Sequence, residues 1–229
     1  MSNPCATDMT LKPLLIAGGL STRMGTAKHL LACEDGRSLY QHTLEQLHIA
    51  CPKAEILYIS LRDESQLASL DLDHARLNLP PIQPLYDDDD STRPASASGK
   101  SQGPAAGLLA AYEYSPVTTW LVAGCDYPLL TASAFQRLIQ EYVRPVTCYS
   151  NAQGYCEPLL AIWGPAALKR LQDNVARGKL GPSNVIREMG GKMIRPEDES
   201  WIMGANTKEE WDAAMEIARS KKTHQLQPR

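Results

Sequence analysis

Leu14-Leu15-Ile16-Ala17-Gly18-Gly19-Leu20-Ser21-Thr22-Arg23-Met24-Gly25-Thr26-Ala27-Lys28 decides how the rest of the chain is read. Its first four residues form an apolar run too short for a helix and bounded by glycine. Such a run predicts a strand buried on both faces, as in a parallel sheet. Gly18 and Gly19 follow with no Cβ to hold a ligand away from their backbone N–H groups. A loop leaving a strand in this way can cradle phosphate. Arg23 and Lys28 add two positive charges to the same loop. Arginine can grip a phosphate through two parallel bonds, and lysine acts as a point charge.

The common nucleotide loops do not fit the stretch. A Walker loop ends in Gly-Lys-Ser/Thr, whereas Thr26 and Ala27 separate Gly25 from Lys28. A dinucleotide fingerprint spaces its glycines, whereas Gly18 and Gly19 are adjacent.

Composition narrows the setting. The chain has 229 residues, 43% of them hydrophobic, enough for one sizeable core. The formal net charge of −3 points neither to nucleic acid nor to another charged partner. No apolar run approaches a membrane span, and residues 1–10 lack the apolar core of an export signal. Cys5, Cys33, Cys51, Cys125, Cys148 and Cys156 form no Cys-x-x-Cys pair, which favours reduced thiols and a cytoplasmic protein. The five histidines include no His-x-x-x-His pair, so zinc is not expected.

Read in order, the chain alternates strands and helices. Residues 1–11 are expected to be disordered, with one domain over 12–220 and a flexible tail over 221–229. Leu30 and Leu31 are expected to pack beneath the first loop. Helix is expected over Ser38–Ala50, with Leu39, His42, Leu47 and Ile49 facing inward, and a strand over Ile56–Leu61. A short helix over Asp63–Leu70 and a strand near Gln83–Tyr86 follow. Residues 87–103, which open on Asp87-Asp88-Asp89-Asp90, read as a mobile loop. Pro104 suits the first turn of a helix reaching Tyr114. Thr118–Gly124 is a strong central strand ending at Cys125-Asp126-Tyr127-Pro128. Thr131 is expected to cap a helix reaching Val143. Strands over Val146–Ser150 and Leu159–Trp163 precede helices over Ala166–Val175 and Ser183–Met189. Short strands are expected at Lys192–Arg195 and Trp201–Met203. Thr207 and Glu210 have the spacing of a capping box for a last helix to Arg219. The pattern predicts an α/β fold: a three-layer α/β/α sandwich around a mostly parallel, Rossmann-like sheet. Ligands in such sheets sit beyond the carboxyl ends of the strands. The Gly18-Gly19 loop and Asp126 both lie there.

Asp126 directly follows an apolar strand, where a carboxylate is costly unless a cation uses it. Mg2+ commonly takes one or two carboxylates together with substrate phosphates, so Asp126 is the candidate metal ligand. Cys125 reads as a buried strand thiol.

The first stretch follows the pattern (L/I)-A-G-G-x-S-x-R-M-G-x-x-K, and Cys125-Asp126-Tyr127-Pro128 follows Cys-Asp-x-Pro. Together they resemble the motifs of the MobA-like nucleotidyltransferases, the molybdenum cofactor guanylyltransferase type. The resemblance spans residues 14 to about 217. It implies transfer of a nucleoside monophosphate, GMP from GTP, onto a phosphate acceptor, molybdopterin, with release of pyrophosphate. It implies Mg2+ as cofactor, Arg23, Lys28 and Asp126 as catalytic residues, and Ile16, Ala17, Gly18, Gly19, Lys28, Asp87, Gly103, Gly107 and Asp126 around the nucleotide. Arg23 and Asn206 would meet the acceptor. Neither nucleic acid nor membrane would be a partner, and the chain would act as a monomer or weak homo-oligomer. Departures gather late in the chain: Ala105 replaces Leu in Gly-Pro-Leu-Ala-Gly, Glu157 replaces His before Pro158, Gly204 replaces Asn, and Lys208 replaces Pro. Transfer to another acceptor, transfer of cytidylate, or a regulator that binds nucleotide without turnover are the competing readings.

Overall fold

The computed structural model describes residues 11–19, 27–87 and 103–225. Expectations for residues 1–10, for Arg23, for the loop over 88–102 and for 226–229 fall outside the described residues.

Seven strands make one sheet: β1 (Leu11–Ile16), β2 (Leu57–Leu61), β3 (Ile82–Tyr86), β4 (Thr119–Gly124), β5 (Val146–Ser150), β6 (Cys156–Trp163) and β7 (Lys192–Ile194). Their order is β3-β2-β1-β4-β6-β5-β7. All neighbours run parallel except β6, which is antiparallel to both β4 and β5. Among the described residues the helices are α1 (Leu39–Ala50), α2 (Glu64–Leu67), α3 (His74–Leu77), α4 (Pro104–Tyr114), α5 (Ala132–Glu141), α6 (Pro165–Ala176), α7 (Pro182–Glu188) and α8 (Lys208–Gln225).

Strand alternation sorts the core into two layers. Leu15, Ile59, Leu121 and Ala123 face Leu44 and Leu47 of α1 and Phe135 and Leu138 of α5. Leu14, Ile16, Tyr58, Trp120 and Val122 face Leu108 of α4, Leu168 and Leu171 of α6, and Val185 of α7. A smaller cluster seats Trp211, Ala214 and Met215 of α8 on Leu39, Leu129 and Ala205. This is the expected three-layer sandwich.

Several boundaries depart from the sequence reading. β1 begins at Leu11, despite Pro13 within it. Side-to-side alternation explains this. Ala17 N–H donates to Ser60 on the β2 side, so the nitrogen of Pro13 faces that side too, where β2 pairing begins only at Leu14. No ladder bond is lost. β6 begins at Cys156 rather than Leu159, taking Glu157 and Pro158 into the strand. A bulge accommodates Pro158: register passes from Cys148↔Ala161 to Tyr149↔Glu157. The Trp201–Met203 strand is instead a 3-10 turn over Glu199–Ile202. α8 continues to Gln225, beyond the expected end at Arg219 and into the expected tail. Ile49 is half exposed, and Tyr40, Thr43 and Leu44 take inner positions on α1. In the 3-10 turn Lys28–Leu30 it is His29 that is buried, while Leu30 is exposed.

The expected Thr131 cap is absent: its side chain makes no capping bond. Gln46 of α1 acts instead, its Oε1 accepting the Ala132 N–H at 2.9 Å. The start of α5 is thus satisfied by the neighbouring helix. Gln46→Met is expected to leave that N–H unpaired at a cost of about 1–3 kcal/mol. Thr131→Ala should cost only a few tenths of a kcal/mol, below the ordinary value for losing a cap. Urea unfolding of the two variants checks the ranking.

Candidate active site

β1 leaves the sheet between two neighbours that hold it to its last residue. Ile16 C=O accepts the Cys125 N–H at 3.1 Å, and Ala17 N–H donates to Ser60 O at 2.9 Å. Gln66, a buried side chain, donates from Nε2 to Ala17 O at 2.7 Å. Its Oε1 accepts the Arg62 N–H at 2.9 Å. Gln66 therefore ties the ends of β1 and β2 together.

Asp87 joins them from β3. Its N–H donates to Leu61 O at 2.8 Å, and its Oδ1 accepts the Ser60 hydroxyl at 2.8 Å. Burial pushes its carboxyl above the ordinary range, against the pull of the Ser60 bond and the Arg62 charge. A Cβ built on Gly18 would lie 2.6 Å from Asp87 Oδ2 and 3.2 Å from the Arg62 nitrogen. Gly18 therefore leaves room for the Asp87 carboxylate, whereas a Cβ on Gly19 meets nothing within 4 Å. Gly107 of α4 faces the same group from below: its Cβ would come 2.6 Å from Ser60 Oγ and 3.0 Å from Ile16 Cγ2. Its small size seats α4 on the strands. Gly103 opens α4 with φ of 57°, a backbone that favours glycine.

The second group lies across β1, at the end of β4. Asp126 Oδ1 is sealed within the fold and has no hydrogen-bond partner among the described residues. Burial raises its carboxyl above the ordinary range; the Lys28 charge pulls it down and Glu157 pushes it further up. Lys28 Nζ donates to Asn206 Oδ1 at 2.6 Å. The Asp126 carbonyl accepts the Ala205 N–H at 2.8 Å, which stitches the Asn206 segment to the end of β4. Asn206 and Thr207 N–H both donate to Glu210 Oε2, at 2.6 and 3.1 Å, and Glu210 N–H donates to Thr207 Oγ1 at 3.2 Å. The expected capping box thus also orients Asn206. Buried Tyr127 donates its hydroxyl to Glu157 Oε2 at 2.9 Å. A Cβ on Gly124 would stand 2.8 Å from Asp126 Oδ1. Burial pushes the Cys125 thiol up to about 12, as expected for an inert strand thiol.

Lys28, Asp126 and Asn206 thus form one group, and Gly18 and Asp87 another. Ile16 and Ala17 lie between them. Gln66, Ser60, Gly124 and Tyr127 carry no site role in the sequence reading. Ser60 was findable, as a hydroxyl inside the apolar run Leu57–Leu61. Gln66 was not, because its partner lies far away in sequence.

Among the described residues no group of three or more His, Cys, Asp or Glu side chains could hold a metal alone. A buried carboxylate oxygen without a partner, at the strand ends where phosphates would complete a hard-cation shell, fits Mg2+.

The chain matches the MobA-like NTP transferase domain over residues 13–193. A probable molybdenum cofactor guanylyltransferase of Rhodopirellula baltica is 29% identical over 178 residues, which are 74% of this chain and 75% of that protein. A molybdenum cofactor guanylyltransferase of Serratia proteamaculans is 27% identical over 168 residues, 72% of this chain and 74% of its own. The crystal structure of molybdopterin-guanine dinucleotide biosynthesis protein A from Archaeoglobus fulgidus shares the fold, with a TM-score of 0.68 at 20% identity over 92% of this chain and 100% of that one.

Two measurements check this geometry. Gly18→Ala should lower the thermal midpoint of the ligand-free protein through its contact with Asp87, and Gly19→Ala should leave it unchanged. Asp126→Asn should raise the midpoint at neutral pH. Folding raises the Asp126 pKa, so stability falls as pH climbs through and above the ordinary carboxylate range. The gain from this substitution should therefore shrink in acid, where aspartic acid is uncharged in both states.

Proposed function

We propose a reaction from one established premise: this chain belongs to the MobA-like NTP transferase family. It transfers GMP from GTP to the terminal phosphate of molybdopterin and releases pyrophosphate. The names of the relatives from Rhodopirellula baltica and Serratia proteamaculans support the choice of nucleotide and acceptor. The observation that carries the reading is the unpartnered, buried oxygen of Asp126 beside the Lys28 charge at the carboxyl end of the central strands.

An oxygen of the acceptor phosphate attacks the α-phosphorus in line. The bond to the bridging oxygen breaks, and pyrophosphate carries away the electron pair. A phosphate acceptor is already ionised, so the protein supplies no general base. Its work is positioning and neutralisation of charge. The Gly18 and Gly19 amides face the phosphates. Lys28, with Arg23, offsets charge on the departing pyrophosphate. Asp126 would hold Mg2+, which when bound neutralises charge between the phosphates. Asp87 accepts from the ring N–H and amino group of guanine. Ile16, Ala17 and the Gly103–Gly107 turn border the nucleotide, and Asn206, anchored by its cap, meets the acceptor. The same reading makes the protein a cytoplasmic single-domain enzyme, acting as a monomer or weak homo-oligomer.

A screen of nucleoside triphosphates with molybdopterin, scored by pyrophosphate release, tests this. GTP should exceed CTP by about tenfold to a hundredfold, since an unmatched buried donor costs about 1–3 kcal/mol. Asp126→Asn should lose about 10²–10³ in turnover while remaining folded. Gly18→Ala should narrow the preference for GTP, because the new methyl group displaces Asp87. Turnover of CTP at the rate of GTP, or an undiminished Asp126→Asn enzyme, would overturn the assignment.

A further inference from the structure

The antiparallel ladder between β4 and β6 pairs Trp120 with Trp163 and Ala123 with Leu160. Carried past its last pair, the same register sets Gly124 against Leu159, and beyond Leu159 the chain enters the bulge at Pro158 and then Glu157. The Gly124 pairing is met: a Cβ on Gly124 would touch Leu159 Cβ at 3.2 Å. Glu157, bonded to the Tyr127 hydroxyl, lies near enough to Asp126 for its charge to act on that carboxyl. Like charges brought near one another are destabilising unless something lies between them. Lys28 contributes one positive charge to the pair while bonded to Asn206.

The placement of Glu157 is also built. Tyr127, 6% exposed, spends its hydroxyl on Glu157 Oε2 at 2.9 Å. The bulge that admits Pro158 keeps Glu157 in the ladder opposite Tyr149. Asp126 is anchored through its own carbonyl to Ala205, and its Oδ1 is a buried oxygen with no partner among the described residues.

We propose that Glu157 is a second carboxylate of the divalent-cation site, held toward Asp126 by the Tyr127 hydroxyl. Mg2+ accepts one or two carboxylates and completes its shell with water and phosphate, so this pair suffices without a third acid. Glu157 stands where the motif resembled by this chain has a histidine. A carboxylate at this position binds a hard cation better than an imidazole does. The inference rests on the transferase reading for its metal, but its test does not depend on GTP or on any acceptor.

Mn2+ is titrated into the nucleotide-free full-length protein and followed by water-proton relaxation. The wild type should take up Mn2+. Glu157→Gln, isosteric and still able to accept the Tyr127 bond, should weaken uptake by at least about tenfold, and Tyr127→Phe, which frees the orientation of Glu157, by about tenfold. Circular dichroism and thermal midpoints confirm that each variant is folded. A purely structural Tyr127–Glu157 bond would leave Mn2+ affinity intact in Glu157→Gln. Uptake equal to wild type in Glu157→Gln but lost in Asp126→Asn would overturn the role of Glu157 and leave the transferase reading standing. No uptake by the wild type at millimolar Mn2+ would overturn it as well. Uptake that depends on Glu157 in a protein that does not turn over GTP would support the two-carboxylate site and sink the guanylyl reading.

Discussion

The site depends on how β1 leaves the sheet. Hydrogen bonds hold both of its edges to the end, Ile16 accepting from Cys125 on one side and Ala17, one residue beyond the strand, donating to Ser60 on the other. Gln66 then secures the carbonyl of Ala17. The chain therefore enters the glycine pair with its direction set. Because β2 and β3 end at the same level, Asp87 arrives beside Gly18, where only a residue without a side chain leaves it room. The glycine reads as a phosphate loop feature in sequence, yet its most demanding neighbour is a carboxylate of another strand.

Charge is placed at a cost to the ligand-free fold. Burial disfavours the ionised forms of both Asp87 and Asp126. The surroundings compensate in part: Ser60 donates to the first, and Lys28 lies near the second. A site poised in this way gains most when phosphates and a cation arrive, because those partners supply what the folded chain lacks. The strain is local. Around it the sheet is packed on both faces, and α8 is pinned at its start by Glu210, so Asn206 does not share in any fraying.

Much of the fold was legible because its signals are local. Leu14–Ala17 and Thr118–Gly124 are apolar runs bounded by turns, and Thr207 with Glu210 is a cap with a fixed spacing. The failures have long-range causes. Thr131 has the chemistry of a cap but makes no capping bond, and the Ala132 N–H at the start of α5 is taken by Gln46 from α1. Leu159 marks where apolar residues begin in β6, but pairing with β5 extends the strand back through Pro158 by means of a bulge. Ile49 fits an apolar stripe, yet the two layers leave it at the surface. α8 outruns its expected end, and beyond Arg219 its Lys221 bonds Asp198 and Ser200, residues far back in the chain.

By itself the sequence determined the fold class, the two motif-bearing strand ends, and the residue types at them: paired glycines, Lys28 and Asp126. These follow from runs, spacings and residue chemistry within short windows. Which of them meet is set by the packed sheet. Lys28 bonds Asn206, Gly18 leaves room for Asp87, and Glu157 comes within reach of Tyr127 beside Asp126. Strand order and register set those meetings, and both arise from packing between segments far apart in the chain, which no local window of sequence records.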